Sequence, residues 1–150
     1  MTEVVYPYTN LRFRLEVGDT TLVAFAECGG LSMEVGTEDY HEGGENRFVH
    51  KLPVHGQQSN LVLKRGMTEN RELWDWFAKY LETGLVTAKD GQVNLYASPD
   101  PQAKAVKSWA FTRAYPVKWT GPELNATSPG VAFETVELVH RGVRLVAVES

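Results

Sequence analysis

The stretch Glu38 to Arg65 reads EDYHEGGENRFVHKLPVHGQQSNLVLKR, and it does not resemble a segment that serves only its own core. Its first half is acidic (Glu38, Asp39, Glu42, Glu45) and is broken by Gly43-Gly44, a pair that favours a turn with positive φ. Its second half is basic (Arg47, His50, Lys51, His55) and short of apolar residues until Leu61. Pro53 and Gly56 predict that no long strand runs through it. A long polar excursion between strands buries little of its own and is usually functional or disordered. From Arg47 through Phe48 to Leu52 the pattern is extended and alternating, which predicts an ordered arm over residues 37–59 that reaches a neighbour. A loose hairpin on a monomer stays open on physics alone, because loops of this length occur in both settings.

Around the arm, the 150 residues suit one domain with a sizeable core. Hydrophobic residues at 43% and charged residues at 23% are ordinary for a globular chain. No apolar run approaches the roughly 20 residues of a membrane span, so membrane anchoring is not expected. The first residues lack a basic region followed by an apolar stretch, which argues against a secretory signal and for folding in the cytoplasm. Cys28 is the single cysteine, excludes an intrachain disulfide, and reads as a small buried apolar residue. The net charge of −4 and pI of about 5.6 argue against a chain that grips nucleic acid.

Strand patterns dominate the rest. Leu11, Phe13, Leu15 and Val17 alternate with Arg12, Arg14 and Glu16, a strand with one buried face. Gly18-Asp19 turns the chain, and Thr20 to Cys28 is predicted to return as one strand, apolar on both faces. Leu31, Met33 and Val35 alternate ahead of the arm, and Leu61-Val62-Leu63 follows it. One helix is predicted, with Thr68 as N-cap and Gly84 in the left-handed C-terminal position. Its core stripe is Leu73, Phe77 and Leu81, widened by Trp74 and Tyr80. Trp74 and Trp76 cannot share a face, so one packs inward and the other stays near a rim. Further strands are expected at Val93 to Ala97, at Val106 to Arg113 with an interruption at Tyr115-Pro116-Val117, and at Val131 to His140. The pattern is a mainly β, single-domain barrel or sandwich over residues 1–150 with one α-helix.

No catalytic constellation is visible: there is no nucleophile elbow, phosphate-cradling glycine loop or H-E-x-x-H. His41, His50 and His55 straddle a turn and an irregular segment without a cysteine, so no metal site is expected. No cofactor is expected either, and the chain does not read as an enzyme.

Six blocks fall in order at natural spacing: Phe25-Ala26-Glu27-Cys28-Gly29-Gly30-Leu31, Tyr40-His41-Glu42-Gly43-Gly44, His50-Lys51-Leu52-Pro53, Asn60-Leu61-Val62-Leu63-Lys64-Arg65-Gly66, Leu73-Trp74-Asp75-Trp76, and Phe133-Glu134-Thr135-Val136-Glu137-Leu138-Val139-His140. Together they resemble the phage tail tube protein family of contractile tails and extracellular contractile injection systems. Val54 after Pro53, where a glycine is expected, and Val136 in place of leucine are small departures. The resemblance implies hexameric rings stacked into a hollow inner tube that sheath contraction drives out to convey cargo. It implies as partners further copies of the chain, a contractile sheath protein, baseplate or tube-initiator and tube-cap proteins, and cargo in the lumen. It also implies synthesis in a bacterial cytoplasm and a mature place in a phage tail or a released particle. A paralogous tube initiator at the baseplate–tube junction would have a similar sequence. From a different class, a monomeric ligand-binding β-barrel would use the helix as lid and Trp109, Phe111 and Trp119 as pocket.

Overall fold

The structure, a computed structural model, describes residues 11–22, 25–41, 43–44, 49–67, 69, 71–127 and 130–148. Its elements in order are β1 (Arg12–Val17), β2 (Thr20–Leu22), β3 (Phe25–Gly29), β4 (Met33–Tyr40), β5 (His50–Gln58), β6 (Leu61–Gly66), α1 (Glu72–Thr83), β7 (Lys89–Tyr96), β8 (Lys107–Thr120), β9 (Phe133–Val139) and β10 (Val143–Val146). Antiparallel pairing runs β2-β1-β7-β8-β9-β6-β3, with β10 beside β8, while among the described residues β4 and β5 pair only with each other. Among the described residues no helix is long and apolar enough to cross a membrane.

The first hairpin forms as its alternation predicts, with Leu15 opposite Leu22 and Gly18 at φ 57° in the turn. The return run does not continue as one strand. β2 stays with β1, whereas β3 leaves for the far end of the pairing order and joins β6. On β3 only Phe25 is fully buried, and Ala26 and Glu27 face out, so this strand is not covered on both sides. A register shift between Phe25 and Glu27 marks where its pattern slips.

Two layers share β8. Its first half pairs with β7 and β10, and its second half pairs with β9. Near the change, Arg113 takes φ 49°, and its N–H donates to Asp90 Oδ1 at 2.9 Å. The interruption expected at Pro116 is a change of partner and not a break. The ladder shifts register between Pro116 and Lys118, where a residue without an N–H disrupts least.

The layers form a sandwich and not a closed barrel, because among the described residues no ladder returns from β3 to β1 or β2. Side chains bridge that gap: the Phe13 and Phe25 rings stack with centroids 5.8 Å apart. Leu15, Leu61, Leu63, Phe111, Val136 and Leu138 fill the space between the layers, all at 1% exposure or less. Phe111 is thus solid core and does not line a ligand pocket. Trp119 is also engaged, since its indole N–H donates to Glu134 Oε2 at 3.0 Å. Arg65 Nε donates to Glu134 Oε1 at 3.0 Å, and this ion pair lies within the core at 2% and 4% exposure.

The helix ends as predicted. Gly84 adopts the left-handed conformation, and its N–H donates to the Tyr80 carbonyl at 2.8 Å. The predicted N-cap, Thr68, lies outside the described residues, and Arg71 occupies the N-cap position without a capping side-chain bond. Leu73 and Trp76 form the buried face, with Phe77 half-buried. Leu81 is a correction: it is 64% exposed. At 3.6 residues per turn it lies roughly 80° round from Leu73, on the side away from Trp76. Trp74 is likewise 37% exposed, and its ring forms a T-shaped pair with Trp119, centroids 4.7 Å apart. Trp76 is the inward tryptophan, and its indole N–H donates to the Thr87 carbonyl at 2.9 Å.

Candidate functional site

β4 and β5 form a two-stranded ribbon whose base is hydrogen-bonded to the sandwich. All nine residues of β5 and all of β4 except Gly36 are exposed. The ribbon runs from Met33 to Gln58, so the arm begins four residues before the predicted start at 37. β5 is continuous through Pro53 and Gly56, contrary to the expectation that they would break it. With a single neighbour strand, a missing N–H can face solvent, and a bulge between Val35 and Thr37 absorbs the mismatch.

The predicted contact residues lie together on this ribbon where they are described. Glu38, Asp39 and Tyr40 on β4 face Leu52, Lys51 and His50 on β5, and Thr37 faces Pro53. His41 follows β4, and Gly43-Gly44 form the expected turn with Gly44 at φ 99°. Glu42, Arg47 and Phe48 lie outside the described residues. Among the described charged residues of the arm, Asp39 and Lys51 stand opposite one another within the ribbon. Among the described residues no three His, Cys, Asp or Glu side chains come together in metal-holding geometry.

Several large apolar side chains lie uncovered on the ribbon. Met33 is 75% exposed, and Val35, Tyr40, Leu52 and Val54 are exposed as well. An isolated two-stranded hairpin is marginal in water, so such side chains are of the kind that a partner covers.

The ribbon's base is anchored by residues that sequence reasoning missed. The Val143 N–H donates to Gln58 Oε1 at 2.7 Å, and Gln58 Nε2 donates back to the Val143 carbonyl at 3.2 Å. Beside it, the Gly142 N–H donates to His140 Nδ1 at 3.1 Å, which makes Nδ1 the acceptor. Nε2 then carries the proton and donates to the Ser59 carbonyl at 2.8 Å. Asn60 Nδ2 donates to Glu137 Oε1 at 2.8 Å. Gly30 admits the chain here, because at φ 90° a Cβ would run into the Asn60 carbonyl. Polar residues at a strand end carry no periodic signal, so Gln58 and His140 do not stand out in the sequence. Arg65 and Glu134 do carry one, since they continue the inward alternations Leu61-Leu63-Arg65 and Glu134-Val136-Leu138.

Residues 9–144 match the family model of the T4-like virus tail tube protein gp19. The fold is similar to a chain from the PVC sheath/tube terminator of an extracellular contractile injection system in its extended state, at 29% identity and TM-score 0.82, covering 97% of this chain and 100% of that one. It is also similar to a chain of the PVC sheath-tube complex in its extended state, at 29% identity and TM-score 0.80, covering 97% and 95%. A third similar chain comes from the tube-terminating cap of the anti-feeding prophage, at 26% identity and TM-score 0.81, covering 97% and 95%. No individual curated protein matches the chain in sequence.

Proposed function

The chain belongs to the T4-like virus tail tube protein gp19 family, and on that premise we propose that it stacks as hexameric rings into the hollow inner tube of a contractile injection system or contractile phage tail. Its role is structural, that of a tube protein. In the proposed cycle, sheath contraction drives the tube out and cargo is conveyed through the lumen. The chain acts by assembly and not by turnover. Its neighbours are further copies of itself, a contractile sheath protein, and baseplate and cap proteins. The similar chains from a sheath-tube complex and a tube-terminating cap support that set. Those chains belong to extracellular particles, which supports a mature place in a tail or a released particle.

The observation that carries this reading is the ribbon. Its exposed apolar residues stand on a fixed base, an arrangement suited to inter-subunit contact through Glu38 to Tyr40 and His50 to Pro53. Glu38 and Leu52 are cross-strand partners, so residues 39–51 can be replaced by a short Gly-Ser bridge across a gap of about 5 Å. The shortened chain is expected to keep its unfolding free energy within about 0.5 kcal/mol, because no core residue is lost. Electron microscopy is expected to show no tubes. Normal tubes, or a protomer that cannot fold, would remove the basis of the assembly role.

A further inference from the structure

Charge is sorted along this chain more sharply than its net of −4 reveals. Between Arg14 and Arg47 there are eight acids and no lysine or arginine. Between Asp100 and Glu123 there are four basic residues and no acid. Between Glu137 and Glu149 stand Arg141 and Arg144, again without an acid.

The fold gathers the two basic runs. β10 pairs with β8 from Val143 opposite Phe111 to Val146 opposite Ser108. The Arg141 N–H donates to the Thr112 carbonyl at 2.9 Å, which sets Arg141 beside Arg113, and Arg144 lies opposite Ala110. All three arginines are exposed. Among the described residues none of them has a carboxylate within 4.0 Å. Two acids lie near. Asp90 accepts from the Arg113 backbone N–H, and Glu34, at the base of the ribbon, lines a groove with Arg141. Lys118 belongs elsewhere, since it faces Glu137 on the other half of β8.

The ribbon carries the complementary charge. Glu38 and Asp39 are exposed, and among the described residues neither has a cation within 4.0 Å, although Asp39 faces Lys51 across the ladder. The described part of the arm does not neutralise the chain's own arginines. Glu38 stands four residues, about 13 Å, further out along the strand than Glu34. Each copy thus presents an unmatched acidic strand and an unmatched basic patch, the requirement of a head-to-tail contact.

We infer that the free edge of β4 in one copy docks on the β8–β10 patch of a second copy, with Glu38 and Asp39, which project to either side of that edge, meeting Arg141 and Arg144. Tyr40 on the ribbon and Leu145 on β10, 59% exposed, supply the apolar part of the contact. Matched charge of this kind fixes register and speeds encounter more than it adds affinity. The inference rests on the proposed tube assembly and specifies which surfaces meet.

The test is a charge swap in the full chain. Arg141→Glu with Arg144→Glu, and separately Glu38→Lys with Asp39→Lys, are each expected to cut the assembled fraction at least about tenfold by sedimentation and electron microscopy. All four positions are exposed, so each protomer should melt as wild type does. Combining the four changes is expected to restore assembly to within about threefold of wild type, as coupled neighbours require. Wild-type assembly with no rescue in the combination, or arginine variants that assemble normally, would overturn the inference and leave the tube role standing. A wild-type chain that never assembles would sink the tube role itself. Salt-sensitive binding of a 20-nucleotide oligothymidine to wild-type tubes, lost in arginine variants that still assemble, would instead make the patch a polyanion site.

Discussion

Gln58 and Val143 exchange two hydrogen bonds, so that one side-chain amide does for the start of β10 what a neighbouring strand's backbone would do. This pair joins the ribbon's last residue to a different layer, 85 positions along the chain. Gln58→Leu is expected to cost the protomer about 1–2 kcal/mol, the range for losing hydrogen bonds at a partly exposed site. Amide hydrogen exchange should rise in β4 and β5 while the β6–β9 ladder keeps its protection. Equal loosening of both would show that the ribbon is not separately anchored.

Glu134 takes hydrogen bonds from both Arg65 and Trp119 inside the core. Removing one member of a buried ion pair typically costs about 3–5 kcal/mol, because the remaining charge stays desolvated. Glu134→Ala should therefore lower the midpoint of chemical unfolding sharply. Replacing Arg65 and Glu134 together by methionine and leucine should cost much less. A double variant no better than Glu134→Ala would show that packing, and not charge, dominates this site.

Leu73 and Leu81 lie eight residues apart on one helix with opposite surroundings, 1% and 64% exposed. Leu73→Ala should cost about 2–5 kcal/mol as a buried leucine. Leu81→Ala should stay within about 0.5 kcal/mol in the protomer. Denaturant titration of both variants checks the pair, and similar costs would contradict the placement of the helix.

Burial raises the Cys28 thiol from 9.0 to about 11. At pH 8 it should react slowly with iodoacetamide in the folded chain and readily once the chain is unfolded. The unfolded thiol ionises first as pH rises, so this group's contribution to stability is intact below pH 9 and is lost towards pH 11. Fast labelling of the folded chain at pH 8 would place Cys28 at the surface.

Period-two patterning made the strands legible where one face meets the core, as in Phe13-Leu15-Val17 and Leu61-Leu63. Turn chemistry was equally direct at Gly18, at Gly43-Gly44 and at the helix end, because positive φ selects glycine locally. Partner choice was not legible. Nothing between Thr20 and Cys28 announces that β2 and β3 belong to different ends of the pairing order, since that depends on residues far along the chain. The stripe ending in Leu81 was misread because period alone does not say how far the supporting sheet extends. At the candidate site, the sequence revealed the arm by its charge and its lack of core residues, but not its anchor. Gln58 and His140 act through hydrogen bonds across more than 80 residues, a relation with no local trace.

β8 also bears on mechanics. Its 14 residues run unbroken through both layers, so the junction between them is covalent and not merely hydrogen-bonded. A pull that separates the layers must draw out the irregular stretch from Arg113 to Lys118 before it can tear that junction. Under axial load the strand would act as a tendon, with that stretch as its elastic length. Stiffness under sudden thrust would then depend on these few backbone positions more than on the breadth of either sheet.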